Sequence, residues 1–268
     1  MKKIAHLIHP VIVAKSSDLV IAQPITFETM RAAKEFAKDE TDVSLYAVQY
    51  HDEERFPLPD CFIRTPDLTR SIGDIKSFKK RKKLAIVKDL LDTLYRASRA
   101  DYFIYTNVDI ALQPYFYQVV FRIIEQGYDA FIINRRTIPG HYKDIAEIPM
   151  MVTEVGEKHP GWDCFVFERS LYPDFELGTI CVGTNWIGRT MIANLASLAE
   201  RFKIFKDSHL TFHIGDERAW GVKQLDDYAR HNRDECSWIM DHFEKKYGPF
   251  DRKEFPGKLF RHLQRSYE

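Results

Sequence analysis

The stretch DYFIYTNVDIAL, residues 101–112, decides how the chain is read. Tyr102 to Tyr105 form a short apolar and aromatic run, rich in strand formers, that predicts a buried β-strand. The run passes through Thr106 into a polar triplet, Asn107-Val108-Asp109, then turns apolar again and reaches Pro114. An amide and a carboxylate two positions apart at a strand tip suit either an Asx turn or a divalent cation, since hard cations take oxygen ligands.

Working outward, the next helix is well marked. Pro114 suits the first helical position. Phe116, Val119, Val120, Ile123 and Ile124 then line one face, and Gly127 suits the left-handed cap. DAFIIN, 129–134, predicts another strand. Upstream, Ile4 to Val13 reads as a first strand, Thr26 to Lys38 as a helix and VSLYAVQY, 43–50, as a second strand. A proline-bearing polar loop and the basic run KSFKKRKK, 76–83, lead into a helix over 83–97 with Leu84, Val87, Leu91 and Leu94 on one stripe. The order β-α-β-loop-α-β-α-β predicts an α/β fold: a Rossmann-type, mostly parallel mixed sheet flanked by helices. Right-handed crossovers would align the strand C-termini along one ligand-binding edge.

The second half is less regular. Residues 139–162 read as a long loop with room for a short strand. CFVFER, 164–169, and the segment around Thr179–Val182 read as strands, and Gly188 to Lys203 as a helix. Lys203–Lys206 or His209–His213 supplies a last strand, and a polar helical tail over 222–268 has Asp234 as its cap.

Lys+Arg and Asp+Glu are equal at 39 each, so no global field favours nucleic acid or an anionic membrane. The four cysteines, at 61, 164, 181 and 236, lack zinc spacing, and a chain of 268 residues does not need disulfides. Reduced thiols and a cytoplasmic setting are expected. The opening MKKIAHLIHPVIVA has two histidines and a proline inside its apolar run, which favours a strand over a leader. No stretch approaches the ~20 apolar residues of a membrane span.

Buried strand, acidic triplet, apolar residues and amphipathic helix together resemble the DxD region of GT-A glycosyltransferases. The resemblance covers residues 3 to about 220. It implies sugar transfer from a nucleotide-diphosphate donor to a glycan, glycolipid or small-molecule acceptor, with Mn²⁺ or Mg²⁺ as cofactor. The triplet here is NVD, so Asp109 carries most of the implied ligation, with Asn107 beside it. HLTFHIGDERAW, 209–220, resembles the late metal-ligand segment, with His213 or His209 as third ligand and Asp216 close by. HPGWDCFVFER, 159–169, resembles the acceptor segment. There Asp163 is the implied general base and Trp162 a stacking platform. In GTICVGTNWIGR, 178–189, Asn185 and Trp186 are acceptor contacts on a glycine-rich wall whose helix-start amides suit an anion. His9 and Pro10 would line the nucleotide wall, Tyr50 to Asp52 would lie near the base, and Lys83 and Lys88 would face the diphosphate, along with Thr106. The implied division is one catalytic domain, 1–220, with a nucleotide-sugar half, 1–112, and an acceptor half, 113–220, then a helical extension, 221–268.

Three other classes compete with this reading. A catalytically inactive sugar-nucleotide or glycan-binding module fits the NVD departure. A sugar nucleotidyltransferase would need a glycine-rich loop after the first strand, and HPVIVAKSSD has no glycine. A DxDxT phosphatase is excluded by Asn107 and Ala111 at its nucleophile and threonine positions.

Overall fold

The computed structural model describes residues 2–215 and 225–248. In chain order the first half contains β1 (Lys3–Ile8), α1 (Leu19–Phe36), β2 (Asp42–Ala47), β3 (Phe62–Arg64), α2 (Ile72–Ile75), α3 (Val87–Ala97), β4 (Tyr102–Thr106), β5 (Ala111–Leu112), α4 (Phe116–Glu125) and β6 (Ala130–Ile133). The second half contains β7 (Arg136–Ile138), a 3₁₀ turn (Ile145–Glu147), α5 (Ile148–Met151), β8 (Glu157–Lys158) and β9 (Cys164–Glu168). A second 3₁₀ turn (Arg169–Asp174), α6 (Ile187–Leu198), β10 (Phe202–Phe205), β11 (Thr211–Ile214) and α7 (Asp226–Tyr247) complete it.

The main sheet has the order β10-β6-β9-β4-β1-β2-β3. Every pair is parallel except those of β9, which runs antiparallel to both β4 and β6. Its inner strands β1, β4, β6 and β9 are buried on both faces, as the apolar runs predict. Leu7, Phe103, Tyr105, Phe165 and Phe167 face α3, α6 and α7, while Ile4, Ile8, Ile104, Phe131 and Val166 face α1 and α4. A smaller sheet, β5-β11-β7-β8, sits beside the strand ends.

The α4 helix follows its apolar stripe, with Phe116, Val120, Ile123 and Ile124 buried. It begins two residues after Pro114, with Tyr115 as N-cap. Gly127 adopts φ +88°, the left-handed cap a side chain would resist.

Several boundaries differ from expectation. The first strand stops at Ile8, where His9 turns to meet the Val48 carbonyl and Pro10 has no N–H to offer a ladder. The first helix begins at Leu19, capped by the Asp18 carboxylate, and continues through Pro24. Leu84 precedes its helix rather than joining it. Thr179–Val182 forms only an isolated bridge, Ile86 to Cys181. The α6 helix ends at Leu198, so Lys203 belongs to β10. Asp234 lies inside α7, not at its cap. Residues 249–268 of the tail lie outside the described residues. All four cysteines are free, and no described helix is long and apolar enough to cross a membrane.

The basic run is tied down locally. Phe78 stacks on Tyr228 of α7 with ring centroids 3.8 Å apart. The Lys79 amide donates to Asp227, and Arg81 pairs with Asp74.

Candidate active site

Strand register assembles the site. Thr106, the last residue of β4, and Ile133, the last of β6, both pair with Cys164, the first residue of the antiparallel β9. Whatever follows β4 and β6 therefore emerges beside whatever precedes β9. Those residues are Asn107–Asp109, Asn134–Arg135 and Trp162–Asp163. The small sheet adds a fourth arm. Its β11 pairs with β5 and β7, which carries His213 to the same edge.

The result is a cleft of about 960 Å³. Its lining includes His9, Lys83, Thr106, Asn107, Asp109, Trp162, Asp163, Asn185, Trp186 and His213. Pro10 and Lys88 are not among its walls. Lys88 lies on the exposed face of α3, where it pairs with Asp92 at 2.8 Å. Lys83 reaches the cleft but is held by Asp52 at 2.5 Å and Glu53 at 3.2 Å. His209 turns away and contacts the Gln113 amide at 3.2 Å. Tyr50 is buried under Lys83, 4.2 Å from ring centroid to Nζ, and Asp216 lies outside the described residues.

At the centre, His213 Nε2 stands 3.3 Å from Asp109 Oδ2. Its Nδ1–H donates to the Gly215 carbonyl at 2.7 Å. That bond fixes the tautomer, so a neutral His213 would aim a lone pair at a carboxylate. A proton on Nε2 or a cation between the two groups resolves the conflict. Burial alone would raise the Asp109 pKa, but the hydrogen bond and charge of His213, with Arg135 behind, hold it below the usual range. His213 shifts the other way: burial pulls it down, and Asp109 more than restores it.

A second carboxylate lies close by. Arg135 Nη1 is 3.1 Å from Asp163 Oδ2, a charge contact outside hydrogen-bond alignment, and no donor bonds that buried oxygen. His159 lies 3.9 Å from the same oxygen and 3.3 Å from Arg135 Nη2. Burial raises the Asp163 pKa; Arg135 opposes it and Asp109 adds to it, leaving the net shift upward. Trp162 packs on α6 at Gly188, where a Cβ would stand 3.0 Å from Trp162 Cε3. A side chain at 188 would make the ring give way by a few tenths of an ångström.

Arg135 and His159 were not anticipated as site residues. The available signal was positional: Arg135 stands two residues past the end of a buried strand.

The resemblance implies a divalent cation, and the residues fit one in part. Asp109 Oδ1 is buried without a hydrogen-bond partner. His213 presents Nε2 with its Nδ1–H anchored on a carbonyl, the arrangement common in metal-binding histidines. Among the described residues no group of three His, Cys, Asp or Glu side chains forms a ready metal centre. The protein thus offers Asp109, His213 and the exposed Asn107 amide, and a cation here would draw its remaining oxygens from a ligand or water.

No family model matches the chain, and no curated protein matches it. Solved structures do. A structure of Staphylococcus aureus TarS, residues 1–349, in complex with UDP-GlcNAc aligns with TM-score 0.51 and 10% identity, covering 100% of this chain and 78% of that one. The longer TarS chain is covered over 47% of its length, with TM-score 0.47 and 10% identity. Glucosyl-3-phosphoglycerate synthase of Mycobacterium tuberculosis, in complex with phosphoglyceric acid, aligns with TM-score 0.47 and 12% identity over 89% of this chain and 80% of that one. Identity this low speaks for architecture alone, and on that architecture the chain has the GT-A-type α/β fold.

Proposed function

We propose that the chain is a glycosyltransferase that moves a sugar from a nucleotide-diphosphate donor to a hydroxyl of a glycan, glycolipid or small-molecule acceptor. One observation carries the reading. The Asp109–His213 couple and the raised-pKa carboxyl of Asp163 converge on a single cleft at the strand ends of a GT-A-type sheet. Such an edge is where α/β folds bind nucleotides.

Asp109, His213 and Asn107 would hold a divalent cation, which when bound supplies charge to stabilise a departing diphosphate. The donor set, one carboxylate, one imidazole and one amide, suits Mn²⁺ better than Mg²⁺. Asp163 accepts the proton of the acceptor hydroxyl as its oxygen attacks the anomeric carbon. Its elevated pKa makes it a stronger base than a solvated aspartate, and Arg135 keeps it oriented. The reaction is direct displacement with inversion. Trp162 offers the acceptor an apolar face, with Asn185 and Trp186 on the far wall; His9 and Lys83 line the donor side, while the Thr106 hydroxyl, buried against His6, does not serve it. The four free thiols support a reducing, cytoplasmic setting.

A panel of nucleoside diphosphates with and without Mn²⁺, read by thermal shift, tests the reading. One base should stabilise the protein, more so with metal, and Asp109→Ala should lose the metal-dependent part. No shift from any nucleotide would sink the proposal. A second reading, a binding module without turnover, rests on Asn107 in place of a carboxylate. Nucleotide binding with no sugar release would favour it.

A further inference from the structure

The wall of the cleft opposite Asp109 has a chemistry that the proposed transfer does not yet use. The α6 helix begins there without a side-chain cap and with no acidic residue in its first turn. The first-turn amides have no intrahelical acceptors, and the helix dipole adds partial positive charge. Arg189 stands in that same turn, where a cation opposes the dipole. It lies over the Trp186 ring at 4.7 Å, and no carboxylate of the described residues pairs with it. Trp186 itself is held at φ +81°, a left-handed conformation costly for a bulky side chain.

Thr184 provides an independent sign. It is 7% exposed and lines the cleft at this point, and its hydroxyl has no hydrogen-bond partner. A buried hydroxyl left unpaired costs about 1–3 kcal/mol, which a ligand acceptor removes. Segment 82–86 runs antiparallel against 181–184, through the Ile86–Cys181 bridge and the Val182 amide to the Ala85 carbonyl at 2.9 Å. That register sets Lys83 opposite Thr184 and Lys82 opposite Asn185, next to the start of α6. Lys82 lines the cleft and, unlike Lys83, makes no ion pair among the described residues.

Among the described residues, helix amides without acceptors, an unpaired hydroxyl and two cations without ion pairs share one wall. We infer that this wall binds an oxyanion, and that the acceptor is therefore a phosphate- or carboxylate-bearing molecule whose charged group docks at the N-terminus of α6. The inference rests on the glycosyltransferase reading for the word acceptor, while the anion site stands on its own residues. Trp162 spans the gap. It follows Gly161, precedes Asp163 and packs on Gly188, so an anion at α6 puts the rest of its molecule along the ring toward Asp163.

Calorimetric titration of the full chain with inorganic phosphate tests this, with and without a saturating nucleoside diphosphate. Phosphate should bind in both cases. Arg189→Gln and Thr184→Val should each weaken it, Arg189→Gln by about tenfold, while nucleotide affinity stays unchanged. Lys82→Gln should add a smaller loss. The inference is overturned if phosphate does not bind, if it binds the variants as well as the wild type, or if nucleotide displaces it. Displacement would mean that the wall serves the donor diphosphate. Failure of every nucleotide to bind would sink the glycosyltransferase reading, and the variants would still decide the anion site.

Discussion

Two polar clusters sit one residue apart on β4 and behave in opposite ways. Thr106 belongs to a sealed cluster under the sheet. His6 Nδ1 contacts the Tyr117 hydroxyl at 2.8 Å and Nε2 the Thr106 hydroxyl at 2.9 Å, all three buried. Each ring nitrogen has a partner, and burial drives the His6 pKa down to about 3, so the ring stays neutral. Asn107 to Asp109 belong to the open cluster of Asp109, His213, Arg135 and Asp163. There, oxygens of both carboxylates lack hydrogen-bond partners, and the groups carry charge. Complete pairing marks a cluster that holds the fold. Buried groups left short of partners mark one prepared for a ligand.

Mutations separate the two. The largest effect is expected at the open cluster: Asp163→Asn should cut transfer by about 10²–10⁴-fold with the melting temperature little changed. In the wild type, the rate should rise with pH through a midpoint above the ordinary carboxylate value, because Asp163 must lose its proton to act. Asp109→Asn should lower transfer by about 10²–10³-fold and abolish metal-dependent nucleotide binding. A full-strength transferase from either variant would dissolve the proposed division.

The sealed cluster should respond in stability instead. His6 is protonated in the unfolded chain below about pH 6.5 but in the fold only near 3, so the unfolded state binds more protons between these values. Stability should therefore fall as the medium is acidified through that window, by a few kcal/mol over its full span. Denaturant melts at stepped pH read this directly, and a His6→Leu comparison isolates the histidine's share. Tyr117→Phe should cost about 1–3 kcal/mol by leaving a His6 nitrogen unpaired, with nucleotide binding intact. The smallest effect belongs to Lys88→Ala. On the exposed face of α3 it should shift stability by less than about 0.5 kcal/mol and leave transfer unchanged.

Much of this architecture is legible in the chain. Runs such as YFIYT and AFII have no polar face, which identifies central strands, and their alternation with helices predicts the parallel core. The resemblance pointed to Asp109, His213 and Asp163 from motif order alone, and the fold brings these three to one cleft. Arg135 was not legible, since an arginine after a strand is an ordinary surface residue unless its neighbours are known. The direction of β9 was equally hidden, because CFVFE reads the same in either orientation. Lys88 misled because helical spacing cannot say which face of α3 meets the cleft. His6 gave no signal: a polar residue in a strand usually points to solvent, and here its partners come from 100 and 111 residues away.

The reversed strand also governs how the chain can be built. β4 and β6 do not pair with each other; β9 lies between them and joins β6 and β10 to the rest of the sheet. A ribosome releases β4 and β6 tens of residues before Cys164–Glu168 emerges. During that interval one edge of β4 and the facing edge of β6 carry open backbone donors and acceptors among apolar side chains. The nascent protein is therefore exposed to edge-to-edge association until a single five-residue segment arrives and closes the sheet.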